Sequence, residues 1–243
     1  MKFVIPSYQR YDKLKLLTLT FLNTHNIKKT DTYIFVRMDD SDLQKYLSLK
    51  DDGYNVEVID VKGIGKTHNY ITNRFEEGEY IVELDDDIID VVDKNRQSIV
   101  SLTESIDEML SLMRMENISY GGLYQVDNNL FMSKQQNYTT DLRYLLGIFR
   151  IRKIDKSIVL RTDFAEDFEN TILHYIRDGK ILKNNWLCAK TKNYADGGCK
   201  ATGRDINTER IDKEYLANKY PEYCKLFQRK NGHYDLRLKH YKN

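Results

Sequence analysis

The residues of this chain best suited to chemistry are three consecutive carboxylates, Asp85-Asp86-Asp87, directly after the apolar stretch Tyr80-Ile81-Val82-Glu83-Leu84. Adjacent acids repel one another, and a divalent cation is the simplest way to offset that repulsion. Hard cations such as Mg²⁺ or Mn²⁺ take carboxylate oxygens and usually add phosphate oxygens from a substrate. The competing readings are a solvated acidic turn, or Asp87 capping a helix that begins near Ile88. A second pair of acids, Glu166-Asp167, opens a segment with helical periodicity. Acids at a helix start serve either as dipole complements or, beside a reacting centre, as the base that deprotonates a hydroxyl.

Other polar stretches fit a phosphate-bearing ligand. Gly63-Ile64-Gly65-Lys66-Thr67 invites a P-loop reading, but that motif places a glycine where this chain has Asp60. A Walker-type ATPase is therefore disfavoured. What remains is either a plain glycine turn or a loop approaching a nucleotide, with Lys66, His68 and Asn69 on the first helical turn. Pro6-Ser7-Tyr8-Gln9-Arg10 offers main-chain groups for a nucleobase and Arg10 for a phosphate, or for Asp12 nearby. Arg37 ends another β-rich run. The C-terminal stretch carries Arg229, Lys230, His233, Arg237, Lys239 and His240 against Asp235 alone. It reads as a solvated terminus or as a surface for diphosphate or nucleic acid. His233 and His240 are the candidates for an additional metal ligand.

These groups need a scaffold, and the hydrophobic pattern supplies one. Apolar runs at Lys2–Ile5, Thr32–Val36, Val56–Val61 and Glu79–Leu84 alternate with helical patterns at Tyr11–His25, Ser41–Leu49 and Lys66–Phe75. Such alternation indicates a parallel, Rossmann-like sheet, in which ligands bind beyond the carboxyl ends of the strands. The polar stretches of the first half all fall at those ends. Later, Ser101–Met115 and Asp167–Asp178 read as helices, and Ser119–Val126 and Leu145–Ile151 as strands. No linker divides the chain, so residues 1–243 are expected to form a single α/β domain whose sheet becomes mixed in its second half.

Lys and Arg total 38 and Asp and Glu 37, for a net charge of +1. This excludes a protein that coats polyanions and confines any nucleic-acid contact to a local patch. No apolar run approaches the ~20 residues of a membrane-spanning helix, so a cytoplasmic protein with no membrane partner is expected. Cys188, Cys199 and Cys224 lack CxxC spacing and read as free thiols.

Taken together, Ile5-Pro6-Ser7-Tyr8-x-Arg10, the segment Gly63 to Asn69, and Asp85-Asp86-Asp87 resemble GT-A glycosyltransferases in kind and order. More narrowly they resemble the TET-associated, GREB1-type glycosyltransferases encoded by phages. The likeness is best over residues 1–90 and looser through Glu166-Asp167 and Gly197-Gly198. Where that family usually carries Arg before the Asn, this chain has His68-Asn69. The resemblance implies a UDP-sugar donor, with Mn²⁺ or Mg²⁺ as cofactor, held by the first half of the chain. Pro6, Ser7, Tyr8, Arg10, Arg37, Gly63, Gly65, Lys66, Asn69, Asp85 and Asp86 would contact the donor. Asp85 and Asp87 would face the metal, and Asp167, or else Glu166, would be the base. The implied acceptor is a hydroxymethylated or already glycosylated pyrimidine in double-stranded phage DNA, such as 5-hydroxymethylcytosine, reached through Arg229, Lys230, Arg237 and Lys239. The same chemistry on a glycan or protein, and a non-catalytic nucleotide- or DNA-binding module, are the alternatives.

Overall fold

The computed structural model describes residues 1–192, 198, 201 and 203–239. Four parallel strands form the first half of the sheet: β1 (Lys2–Ser7), β2 (Thr32–Arg37), β3 (Asn55–Ile59) and β4 (Tyr80–Leu84). The second half adds β5 (Ile88–Asp93), β6 (Tyr120–Tyr124), the two-residue β7 (Tyr138–Thr139), β8 (Phe149–Lys153) and β9 (Leu182–Thr191). The order is β3-β2-β1-β4-β8-β6-β9-β5, with β7 joined to β9. β8 runs antiparallel to both β4 and β6, so the sheet turns mixed where the sequence pattern becomes less regular. A separate hairpin, β10 (Cys224–Gln228) and β11 (Tyr234–Leu238), follows the last helix.

Side chains alternate across the strands, and each face has its own helices. Phe3, Ile5, Val82, Leu84, Phe149 and Ile151 point to one core. There they meet α1 (Tyr11–Leu16), α2 (Thr18–Thr24), α3 (Leu43–Ser48) and α5 (Leu102–Met115). Val4, Phe35 and Ile81 point the other way, onto Ile71 and Phe75 in and beside α4 (Ile64–Arg74). Beyond them Tyr120 meets α7 (Glu166–Asp178), α8 (Ile206–Lys219) and the β10–β11 hairpin. The short α6 (Asn129–Met132) completes the set.

The periodic segment from Tyr11 to His25 is two helices rather than one, because Leu17 leaves helical geometry at φ −110°, ψ −82°. The strand expected over Leu145–Ile151 begins only at Phe149. No helix starts at Ile88: the β-branched run Ile88-Ile89 and Val91-Val92 pairs with β9, so Asp87 caps nothing. Among the described residues, no helix is long and apolar enough to cross a membrane.

One buried carboxylate ties α7 to the loop in front of it. Glu169 is fully buried, and its Oε2 accepts from Arg161 N at 2.7 Å, Thr162 N at 2.9 Å and Thr162 Oγ1 at 3.0 Å. The neighbouring Asp163 then accepts from Gly65 N at 3.0 Å, at the start of α4. Removing the carboxylate strands two main-chain donors in the interior. Glu169→Ala is expected to lower unfolding free energy by about 3 kcal/mol, measured by urea denaturation. A loss below a quarter of that would mean water replaces the carboxylate at no cost.

Candidate functional site

The carboxyl ends of β1, β2, β3 and β4 open onto one cleft of about 1170 Å³. Its walls include Pro6, Ser7, Tyr8, Arg10, Arg37, Gly63, Asp85, Asp86, Asp87, Glu166, Asp167, Arg229, His233 and Arg237. Residues from both ends of the sequence thus meet in one space.

The acidic triplet is fixed by its main chain. Asp85 N donates to Ile148 O at 2.9 Å, and Asp85 O accepts from Thr18 Oγ1 at 2.8 Å. The same Thr18 hydroxyl accepts from Ile88 N at 2.9 Å, and Lys192 N reaches Asp87 O at 3.2 Å. The three side chains then divide. Asp86, 4% exposed, accepts from Ser7 Oγ at 2.7 Å and Arg10 Nη1 at 3.0 Å. Ser7 and the Arg10 main-chain N–H both meet the buried Tyr46 hydroxyl, at 2.8 and 3.1 Å. The middle acid therefore latches the β1 loop to the end of β4. Burial raises its carboxyl, against the opposing pull of Arg10 and Ser7.

The outer two acids remain for a ligand. Asp87 lies 3.6 Å from Arg10 and is raised by burial. Asp85 has no hydrogen-bonding side-chain partner among the described contacts. Desolvation, followed by the charges of Asp87, Asp86 and Asp167, pushes it up to about 7. Two oxygen donors in a negative field that Arg10 and Arg150 offset only in part fit a hard divalent cation, which would reverse that shift. Among the described residues no three His, Cys, Asp or Glu side chains already form a metal cluster. His233 is exposed on the hairpin that lines the cleft, and His240 lies outside the described residues.

The β1 loop is shaped by Asp40, which accepts from Gln9 N at 2.7 Å and holds Gln9 at φ 53°. Beside it the Arg37 guanidinium lies 4.0 Å from the centre of the Tyr8 ring and bonds Asp39 at 2.6 Å. Gly198 N donates to Tyr8 O at 2.9 Å. Gly65 does not line the cleft. Its main-chain N–H is taken by Asp163, and a Cβ there would collide with Thr162 O. Asn69 spends its amide on Leu160, donating to Leu160 O and accepting from Leu160 N, each at 2.9 Å. Lys66 is exposed outside the cleft wall. The glycine segment thus joins α4 to the loop before α7, and of its candidates Gly63 and His68 line the cleft.

Across from the triplet stands Asp167, 3.2 Å from Tyr144 Oη and 3.4 Å from Arg150 Nη1. Its neighbour Glu166 is pushed well above the usual carboxylate range by burial and by Asp167 itself. A carboxyl that holds its proton cannot accept one, so Glu166 is the less suited of the two to act as a base. Sequence reasoning missed Arg150, because an arginine inside a strand carries no motif. Of the four basic residues singled out for nucleic acid, Arg229 pairs with Asp235. Arg237 lies 5.0 Å from the centre of the Phe227 ring. Lys239 bonds Pro221 O at 2.5 Å, and Lys230 is exposed between β10 and β11.

No protein-family model and no curated protein matches the chain. Solved structures do. Staphylococcus aureus TarS 1–349 in complex with UDP-GlcNAc aligns with a TM-score of 0.58 at 17% identity, over 90% of this chain and 67% of that one. A mycobacterial protein aligns at 0.57 and 10% identity, over 98% and 82%. The mannosyltransferase PcManGT from Pyrobaculum calidifontis, in complex with GDP-Man and Mn²⁺, aligns at 0.53 and 9% identity, over 76% and 56%. This chain therefore spans about two thirds of the TarS fragment and little more than half of PcManGT. At these identities the likeness establishes architecture: a single α/β domain with the Rossmann-like GT-A fold.

The raised Asp85 carboxyl has a consequence for stability. Its folded value of about 7 lies above its ordinary value of 3.8. The fold therefore favours the protonated acid, and stability contributed at low pH is lost as pH rises from about 4 to about 7. Asp85→Asn cannot ionise. In EDTA it is expected to be more stable than the wild type by about 4 kcal/mol at pH 8, with little gain at pH 4. Thermal unfolding at both pH values checks this, and an equal or greater gain at pH 4 would refute the assignment.

Proposed function

We propose that the chain is a divalent-cation-dependent glycosyltransferase that moves a hexosyl or pentosyl group from a UDP-sugar to an acceptor hydroxyl. The observation that carries this reading is the cleft itself: Asp85 and Asp87 face Asp167 across the ligand-binding edge of a GT-A sheet. The solved complexes of similar fold support a nucleotide-sugar donor, since TarS holds UDP-GlcNAc and PcManGT holds GDP-Man with Mn²⁺.

The residues assume complementary roles. Tyr8 and Arg37, stacked on one another, form the platform nearest the β1 and β2 ends and suit a planar base. Arg10 is held against Asp86 and Asp87 at the entrance to the triplet. Asp85 and Asp87 would hold Mn²⁺ or Mg²⁺, which when bound neutralises charge on the departing diphosphate. Asp167 takes the proton from the acceptor hydroxyl as its oxygen bonds to the anomeric carbon. The bond from that carbon to the diphosphate oxygen breaks, and UDP leaves with the electron pair. Attack from the face opposite the leaving group inverts the anomeric centre.

For the acceptor we propose a hydroxymethylated pyrimidine in DNA. The sequence resemblance supports this, and so does the position of Arg229, His233 and Arg237 on the same cleft. The opposing observation is that Arg229 is already paired with Asp235, so phosphate contact would require exchange of that ion pair. A glycan or protein acceptor would leave that pair intact.

Two measurements test the reading. Calorimetry should show UDP binding that requires Mn²⁺ or Mg²⁺, is abolished by EDTA and is lost in Asp87→Ala without loss of fold. Binding of ATP in preference to UDP would contradict it. Incubation with UDP-sugars and hydroxymethylated DNA, followed by nucleoside mass spectrometry, should show transfer. In that assay Asp167→Asn should lower turnover by roughly 10²-fold or more while leaving UDP affinity nearly intact. Transfer to free glycans with none to DNA would retain the enzyme class and replace the acceptor.

A further inference from the structure

The face of the sheet beneath the cleft contains a buried charge cluster that no motif signals. Glu83 on β4 and Arg150 on β8 are direct cross-strand partners, and both side chains are 1% exposed. Arg150 Nε donates to Glu83 Oε2 at 2.5 Å, and Arg152 Nη2 donates to Glu83 Oε1 at 2.6 Å. The other arms of Arg150 are also committed. Nη2 lies 2.6 Å from His68 Nε2 on α4, and Nη1 lies 3.4 Å from Asp167 Oδ1 on α7. Gly147 closes the space around that last contact, because a Cβ there would collide with Asp167 Oδ1 and lie 3.1 Å from Arg150 Nη1.

Charge counting shows what the cluster asks of Asp167. Arg150 and Arg152 bring two fixed positive charges, and Glu83 returns one. His68 is lowered by burial and by Arg150, and the nearby His174 is lowered to about 3 by burial and by Arg152. Neither adds charge at neutral pH. Tyr120 and Tyr144 are raised by burial and stay neutral. Glu166 is raised by burial. Of the groups facing Arg150, Asp167 is the one placed to return the second negative charge.

We propose that Arg150 is a positioning residue that fixes the Asp167 carboxylate at the cleft wall, with Glu83 and His68 fixing the guanidinium in turn. This rests on Asp167 being the base of the proposed transfer. Lysine is a point charge and cannot serve Glu83, His68 and Asp167 from one planar fork. His68→Leu removes one brace while leaving both arginines and Glu83 in place.

The test compares Arg150→Lys, His68→Leu, Asp167→Asn and the double variant Arg150→Lys/Asp167→Asn in the transfer assay. Melting temperature and UDP binding are monitored for each. Arg150→Lys should lower kcat at least tenfold, leave the donor KM within about twofold, and move the acid limb of the rate profile upward. His68→Leu should move kcat and the limb the same way by less, and it decides the matter if Arg150→Lys does not fold. In the double variant, Arg150→Lys should add no further loss, because its effect runs through a carboxylate already removed. If Asp167→Asn is inactive while Arg150→Lys and His68→Leu keep the wild-type kcat and limb, the positioning role falls and the base stands. A full additional loss in the double variant overturns it equally. If Asp167→Asn retains turnover, the base assignment fails and the positioning role fails with it.

Discussion

The pairing of Glu83 with Arg150 and Arg152 is the interaction on which the rest of the structure depends. It sits between β4 and β8, where the sheet changes from parallel to mixed. A buried ion cluster of this kind is weak evidence of net stability, since well-packed apolar side chains could match it. Its effect is on register. A one-residue slip of β8 would send Arg150 and Arg152 into the core now occupied by Phe149 and Ile151. Two unpaired guanidiniums in that core would cost more than the sheet could recover. The same cluster reaches α4 through His68 and Thr72 and α7 through Asp167. The elements that must converge on the cleft are therefore held to one another beneath it.

Above that foundation, the negative charge of the triplet is only partly offset. Asp86 takes the shorter Arg10 contact and the Ser7 hydroxyl, Asp87 shares Arg10 at 3.6 Å, and Asp85 accepts no side-chain bond among the described contacts. The β1 loop, the triplet and Thr18 form one latch, so the outer acids, Tyr8 and Arg10 are placed together. Asp167 is set against a guanidinium, whereas burial pushes the neighbouring Glu166 toward its protonated form.

Much of this was legible in the sequence because it rests on local periodicity. The apolar runs ending at Ile5, Val36, Val61 and Leu84 mark strands, and their polar successors mark the ligand edge. The triplet and Glu166-Asp167 are chemically conspicuous for the same reason. What could not be read depends on contacts across long separations. Gly65 and Asn69 read as donor contacts, yet they serve Asp163 and Leu160, more than ninety positions away. Arg150 is surrounded by apolar strand residues and resembles an ordinary exposed position. Leu17 breaks a helix that periodicity alone would continue.

The C-terminal hairpin sets the scale of what the acceptor side must solve. Arg229 and Lys213 share Asp235, and Lys213 also meets Glu209. The wall there is a lattice of partly satisfied charges rather than a free basic strip. An anionic acceptor would have to compete with Asp235 and Glu209 for the same cations. Such exchange would yield modest, salt-sensitive affinity. A neutral acceptor would use the lattice as a rigid wall, and specificity would then come from shape and from aligned hydroxyl partners. The two cases differ in one physical respect: an anionic acceptor loses affinity steeply with added salt, whereas a neutral one does not.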